Sequence, residues 1–319
     1  MHAGGHLTER DLAGYHPRVG NASRVALGSG LNVWAAPPPS SGIVAGFILS
    51  LAGRFRPFLQ GELIDDDTAA HRLVEAIKYG FALRSRLEDP LFGDVTKVIN
   101  ELLSFELVSS LASAMGDVPL KRIEDYGWEA PPVEDHGSSF VAVFGPDGDA
   151  AVMVASLNWD FGSMWLSPST GVLLNNQLAA FSYPGRHGFQ GYPPQAVNRL
   201  APGKRPMSSA SPLFITAERD ELQCIVAPTG GPLAITGAAQ TVMRAMWMGH
   251  SIKQAIDCGR LHHPLLPDSV RAEEFVDAVS RAIPLRLHTR VASSQLKILS
   301  DKNRNIAYGH FLQVNVTSP

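Results

Sequence analysis

Cysteine, long apolar runs and blocks of like charge are all scarce in this 319-residue sequence. Cys224 and Cys258 are too few for a disulfide scaffold; a single bond between them stays open, and two buried thiols are the favoured interpretation. The apolar stretch 43–51 is interrupted by Gly46 and is shorter than the roughly 20 residues that cross a bilayer. The first residues have no signal-peptide pattern, so we expect a soluble chain whose location is left open.

The charge balance argues against a nucleic acid partner. The sequence has 30 acidic and 27 basic residues, without the basic block that nucleic acid binding requires. The adjacent His262 and His263 point apart and have no carboxylate or cysteine at ligand spacing, which favours a structural or surface role. We therefore expect no nucleic acid partner, no metal and no cofactor.

Hydrophobic spacing predicts several helices. Residues 43–51 are expected to form a helix packed on the core, and 95–115 a second helical stretch. Another helix follows the acidic residues 65–67, which suit a helix N-terminus, and should end before Asp89-Pro90. Its apolar face is Ala70, Leu73, Val74, Ile77 and Phe81. A capping box, Ser251 to Gln254, should start a short helix that Gly259 ends.

Two apolar segments flank the turn 145–149 and predict a hairpin of buried strands. If the hairpin is symmetric about Asp147, Ser138 lies opposite Ser156, with Cβ atoms roughly 5 Å apart. A one-residue bulge would break this pairing. A hydroxyl at the start of a strand, supported by a second hydroxyl, is a candidate nucleophile.

Further strands are expected at 171–174, 213–216 and 223–227, and again beyond Pro284. Residues 183–206 are rich in Pro and Gly without periodicity, as in a lid or a disordered insertion. Gly230 and Gly231 precede Pro232, a strand-to-helix turn whose backbone N–H groups suit an anion.

An ordered set of motifs resembles the γ-glutamyltransferases, or glutathione hydrolases, over residues 33–267. The set comprises Gly137-Ser138, Ser156-Leu157-Asn158, Leu174-Asn175-Asn176-Gln177, Pro206-Met207-Ser208-Ser209 and Gly230-Gly231. The resemblance implies an α+β fold, the αββα sandwich of the N-terminal-nucleophile hydrolases, incomplete at its N-terminal side. Residues 1–137 would correspond to the end of the family's large subunit, and 138–319 to the small subunit.

The same resemblance implies a reaction and its residues. The chain would cleave itself between Gly137 and Ser138, giving a heterodimer whose new N-terminal Ser138 is activated by its own α-amine. The implied roles are Ser156 as support of the nucleophile, Gly230 and Gly231 as oxyanion hole, and Asn158, Gln177, Ser208 and Ser209 as ligands of the γ-glutamyl amino and carboxylate groups. The substrates would be glutathione-like donors, with water, an amino acid or a peptide as acceptor. Family members are usually extracellular or anchored at the plasma membrane.

Three departures from the family pattern keep a second function open. Ala180 stands where the family has an acidic residue for the substrate ammonium, and Ser138-Ser139-Phe140 replaces the usual Thr-x-His. The larger N-terminal part of the large subunit, with the arginine that pairs with the substrate carboxylate, has no counterpart here. The alternative is therefore a catalytically inactive relative with a binding or regulatory role.

Overall fold

The computed structural model describes residues 7–28, 30–58, 67–116, 118–120, 122–129, 135–183, 197–266, 270–273 and 297–298. Within these residues helices and strands are mixed. The helices are α1 (Glu9–Ala13), α2 (Gly42–Ala52), α3 (Asp67–Arg84), α4 (Thr96–Leu103), α5 (Phe105–Ala114), α6 (Pro232–Trp247) and α7 (Ile252–Asp257). Short 3₁₀ helices cover Gly53–Phe58, Ile123–Tyr126 and Gln177–Ala180. The strands are β1 (Ser23–Ala26), β2 (Asn32–Ala35), β3 (Ser139–Phe144), β4 (Ala150–Ala155), β5 (Leu213–Thr216), β6 (Leu222–Val226), β7 (Leu261–His262), β8 (Arg271–Ala272) and β9 (Lys297–Ile298).

The core lies between an antiparallel sheet and the helices that cover it. The sheet has the order β1-β2-β5-β6, and α2 packs against its first two strands and against α3 and α6. Every residue of α2 is buried, as the apolar segment predicted. Two glycines permit the close approach of α2 to β1 and to α3. A Cβ on Gly46 of α2 would lie 2.8 Å from Val25 of β1, and one on Gly80 of α3 would lie 2.6 Å from Ile48 of α2.

Helix α3 confirms the predicted apolar face, all of whose members are buried. The stretch 95–115 is two helices instead of one, because the Ser104 hydroxyl accepts a hydrogen bond from the Leu107 N–H and begins α5. A serine competes in this way with helix continuation wherever its side chain can cap the next turn. The capping box of α7 is confirmed, but extended Cys258, not Gly259, ends that helix.

The hairpin β3–β4 has the predicted register but not the predicted burial. Its pairs run from Phe144–Ala150 to Ser139–Ala155, without a bulge. None of its strand residues is buried, and Val141, Val143 and Met153 are more than half exposed. The prediction of buried strands was wrong because, within the described residues, the hairpin pairs only with itself and has no sheet layer against it.

Several smaller predictions are also settled. The strand at 171–174 reduces to an isolated bridge between Leu166 and Leu173. Both cysteines are free, which excludes the disulfide between them. No described helix is long and apolar enough to cross a membrane. Residues 65–66, 184–196 of the predicted lid, and the strands beyond Pro284 apart from β9 lie outside the described residues.

The two adjacent histidines are structural, in line with one of the roles favoured for them. His262 and His263 are buried, and Nδ1 of His262 lies 2.9 Å from the Thr236 hydroxyl of α6. Nδ1 of His263 accepts a hydrogen bond from the Leu265 N–H at 3.2 Å. Burial lowers the pKa of His262 well below its ordinary value, and the nearby charge of Arg271 adds to the effect.

Candidate active site

The open end of the hairpin places two hydroxyl-bearing residues opposite each other. The last registered pair is Ser139–Ala155, so Ser138 and Ser156 occupy the next position. The Ser156 hydroxyl donates a hydrogen bond to the carbonyl oxygen of Gly137 at 2.5 Å and accepts one from the Asn158 N–H at 2.8 Å. Ser156 therefore holds the carbonyl group of the peptide bond that joins Gly137 to Ser138.

Asn158 fixes the chain where it leaves the hairpin. Its φ of 72° is left-handed, a conformation that asparagine tolerates better than most residues. The side chain is buried, and its Oδ1 accepts a hydrogen bond from the His136 N–H at 3.1 Å. The amide is thus engaged by the backbone two residues before Ser138.

Gln177 lies beside the two serines. It begins the 3₁₀ helix Gln177–Ala180, and its Nε2 donates to the Ser156 carbonyl oxygen at 3.2 Å. Ala180, at the other end of this turn, is fully buried, and its carbonyl oxygen accepts from Asn198 Nδ2 at 2.9 Å. Ala180 therefore adds a buried methyl group and no charge to this turn.

Ser208 and Ser209 face the hairpin from the segment that leads into β5. The Ser208 hydroxyl accepts from the Ala210 N–H at 3.1 Å. The Ser209 N–H donates to the carboxylate of Asp135, and its hydroxyl accepts from Nη2 of Arg84 at 3.0 Å. Ser209 therefore connects a buried cation to an anion in the site.

The diglycine forms the entry to α6. Gly230 and Gly231 have φ values of 117° and 61°, which L side chains rarely adopt, and Pro232 is the first helical residue, as predicted. A Cβ on Gly231 would lie 2.5 Å from the carbonyl oxygen of Asp135. The first N–H groups of a helix lack partners within it, so this turn can stabilise negative charge.

A pocket of about 190 Å³ lies between these elements. Six of the eight residues predicted for the site line it: Ser138, Ser156, Gln177, Ser208, Ser209 and Gly231. Gly230 and Asn158 do not line it, but Gly230 precedes Gly231 in the chain and Asn158 accepts a hydrogen bond from His136, and both of these partners line the pocket. Asp135 and His136, the two residues that precede the Gly137–Ser138 bond, also line it.

Sequence reasoning did not assign a role to Asp135 or Arg84. Arg84 is the last residue of α3 and is buried; its Nε donates to the hydroxyl of Ser41, the residue that precedes α2, at 3.0 Å. Burial lowers the pKa of Arg84, and the nearby Asp135 carboxylate acts in the opposite direction. The sequence shows Arg84 only as an arginine at the end of an otherwise apolar helix face, and this pattern does not indicate which residues it contacts.

Comparisons with known proteins identify relatives of this chain. The gamma-glutamyltranspeptidase family model matches residues 1–314. The chain is 36% identical over 273 residues to Scoloptoxin SSD14 of Scolopendra dehaani, covering 85% of this chain and 47% of that protein. It is 31% identical over 282 residues to Glutathione hydrolase 2 of Arabidopsis thaliana, covering 87% and 48%. The chain thus spans about half the length of the curated relatives it matches.

The fold has a counterpart among solved structures. A cephalosporin acylase from Bacillus halodurans superposes with a TM-score of 0.71 over 92% of this chain and 49% of that chain, at 24% identity. With the family match, this likeness confirms the α+β fold class of the N-terminal-nucleophile hydrolases.

Proposed function

Because this chain belongs to the γ-glutamyltranspeptidase family, we propose that it is a γ-glutamyl hydrolase or transferase that activates itself by cleavage between Gly137 and Ser138. Its donors are glutathione and related γ-glutamyl compounds, and its acceptors are water, amino acids or peptides. The boundary at Ser138 divides it into a large-subunit-like part, 1–137, and a small-subunit-like part, 138–319.

One observation carries the proposal: the 2.5 Å hydrogen bond from the Ser156 hydroxyl to the Gly137 carbonyl oxygen. This carbonyl group belongs to the bond that must break. A donor on a carbonyl oxygen withdraws electron density and stabilises the oxyanion that forms when a nucleophile attacks the carbon. The support comes from a residue that the strand register places opposite the nucleophile.

Self-cleavage then needs no second molecule except water. The Ser138 Oγ attacks the Gly137 carbonyl carbon, and the oxyanion is stabilised by Ser156. The C–N bond breaks, the hydroxyl proton ends on the Ser138 nitrogen, and an ester joins Gly137 to Ser138 Oγ. Water hydrolyses the ester, which leaves a carboxylate on Gly137 and a free α-amine and hydroxyl on Ser138.

Turnover uses the same serine after cleavage. The freed α-amine has a reference pKa near 8, about right for a general base at neutral pH. It accepts the Ser138 hydroxyl proton as Oγ attacks the γ-carbonyl of the donor, and it returns the proton to the leaving amine. The N–H groups at Gly230 and Gly231 stabilise the oxyanion, and water or an acceptor amine resolves the acyl-enzyme.

Recognition of the γ-glutamyl group falls to the polar residues around the pocket. Ser208 and Ser209 take the carboxylate, while Asn158 and Gln177 take the amino group. Three of these four residues line the pocket. Each carries a donor or an acceptor suited to its part of the ligand.

Gel electrophoresis with N-terminal sequencing, followed by a γ-glutamyl anilide assay, tests the proposal. We expect the purified chain to convert into two fragments, the smaller beginning at Ser138, and to release the anilide. Ser138→Ala should remain intact and inactive. The matched control Ser139→Ala, which removes an exposed hydroxyl from the adjacent position, should cleave like the parent.

A non-catalytic binding or regulatory role is the second candidate. The fully buried Ala180 favours it, because no charge is available there for the substrate ammonium. An intact parent chain that releases no anilide, and does not differ from Ser138→Ala, would reject the enzyme and leave this alternative. Cleavage at Ser138 without turnover would show a processed protein that does not recognise γ-glutamyl donors.

A further inference from the structure

The residues just before the cleavage site occupy the groups assigned to substrate recognition. The carboxylate of Asp135 accepts a hydrogen bond from the Ser209 N–H, and the His136 N–H donates to Oδ1 of Asn158 at 3.1 Å. The backbone of Asp135 also packs closely on Gly231, since a Cβ on Gly231 would lie 2.5 Å from the Asp135 carbonyl oxygen. An anion and an N–H donor, adjacent along the chain, thus sit where the γ-glutamyl carboxylate and amino group are expected.

The anion lies close to a buried positive charge. Arg84 donates to the hydroxyls of Ser41 and Ser209, both at 3.0 Å, and no carboxylate of the described residues comes within ion-pair distance of it. The guanidinium is therefore held by neutral oxygens, and its charge is not cancelled by direct contact. A cation that donates to the Ser209 hydroxyl also favours an anion at the N–H of the same residue, where the Asp135 carboxylate accepts a hydrogen bond.

The rest of the segment is also fixed. The ring of His136 meets that of Trp159 edge-on, with centroids 5.1 Å apart, and the Gly137 carbonyl oxygen is held by Ser156. Three consecutive residues, 135 to 137, therefore each contact a different part of the site. This is the pattern expected of a bound ligand, not of a connection that passes over a pocket.

We infer that residues 135–136 of the uncleaved chain are an internal occupant of the γ-glutamyl subsite, with the Asp135 carboxylate in the place of the substrate carboxylate and Arg84 as the charge that favours an anion there. This inference rests on the proposed function. While the Gly137–Ser138 bond is intact, the tether keeps the occupant at high effective concentration. Cleavage turns Asp135 to Gly137 into a chain end, which can leave and open the subsite.

The inference gives Arg84 a positioning role that the family resemblance did not assign. The guanidinium does not line the pocket; it acts through the Ser209 hydroxyl. It supplies a positive charge for a carboxylate ligand that binds the Ser209 N–H. The subsite is therefore selective for anions even when the occupant is absent.

The test uses the uncleavable Ser138→Ala chain, so that binding is measured without turnover. Asp135→Asn in this background removes the occupant's charge and keeps its shape; Asp147→Asn, an exposed aspartate at the hairpin turn, is the matched control. The probes are L-glutamate and acetate, measured by calorimetry. A charge-assisted hydrogen bond corresponds to roughly ten- to a hundredfold in affinity, so Asp135→Asn should bind L-glutamate that much more tightly than Ser138→Ala alone.

The outcomes separate this inference from the proposed function. Equal affinity with and without Asp135→Asn, or no binding in either, overturns the inference even if the parent chain releases anilide. If Asp135→Asn binds L-glutamate more tightly while the parent chain releases no anilide, the internal occupant is supported and the enzymatic function is rejected. Thermal unfolding of each variant verifies the fold, and adding Arg84→Gln, which removes the positive charge but keeps an amide donor, should abolish the gain.

Discussion

The sharpest prediction concerns Ser156 and the rate of self-cleavage. Ser156→Ala removes the hydroxyl that donates to the Gly137 carbonyl oxygen at 2.5 Å. Removal of one oxyanion donor typically costs roughly 2.7–4 kcal/mol, or 10²–10³ in rate. Ser156 is only partly buried, so water competes for the oxyanion and the lower end applies. We expect cleavage to slow by about a hundredfold.

The assay is the half-time for conversion of intact chain into two fragments, followed on gels from freshly refolded protein. Ser156→Thr retains the hydroxyl and should cleave within about tenfold of the parent rate. Ser156→Ala also removes the acceptor of the Asn158 N–H, so its unfolding free energy should be measured alongside. Cleavage of a folded Ser156→Ala chain at the parent rate would refute the role assigned to this hydrogen bond.

Three further predictions concern stability. Gly231→Ala should lower the unfolding free energy, measured by urea denaturation, by about 1–3 kcal/mol, since its φ is 61° and the new Cβ would lie 2.5 Å from the Asp135 carbonyl oxygen. The control Gly20→Ala, with no atom within 4 Å of the new Cβ, should leave it unchanged. Burial lowers the pKa of His262, so below pH 6.5 the unfolded chain binds a proton that the folded chain does not bind. The unfolding free energy should therefore fall by up to about 1.4 kcal/mol per pH unit between pH 6.5 and 5, and equal urea midpoints at pH 7 and 5 would contradict this. Tyr126→Phe should cost about 1–3 kcal/mol, because it leaves a buried carboxylate and the Leu120 N–H without the hydroxyl, and unchanged thermal unfolding would exclude that role.

The fold elements that could be predicted are those whose signal is local. The apolar run in α2 and the period of α3 each specify burial through neighbouring residues alone. The capping box and the diglycine with its proline also carry their own geometry. The hairpin register was predictable for the same reason, because a turn centred on Asp147 fixes every pair.

The unpredicted features depend on contacts distant in sequence. The burial of the hairpin could not be predicted, because apolar strands indicate a covering layer without showing whether one is present. Arg84 and Ser209 are 125 residues apart, and no spacing rule connects them. Asp135 lies in a segment that the sequence indicates as a surface connection, and the contact of its carboxylate with the Ser209 N–H is visible only in the folded chain. The departure at Ala180 was visible in sequence, but its complete burial was not.

The exposed hairpin has a consequence for how variants of this protein should be judged. Ser138 is positioned by a two-stranded ribbon that contributes little to the core, whereas global unfolding is governed by α2 and the four-stranded sheet. Local opening of the ribbon can therefore separate the two serines at a free energy well below that of unfolding the whole chain. A variant can keep its full melting temperature and still lose the alignment of the two serines, so melting curves alone will not show whether the proposed reaction centre is intact.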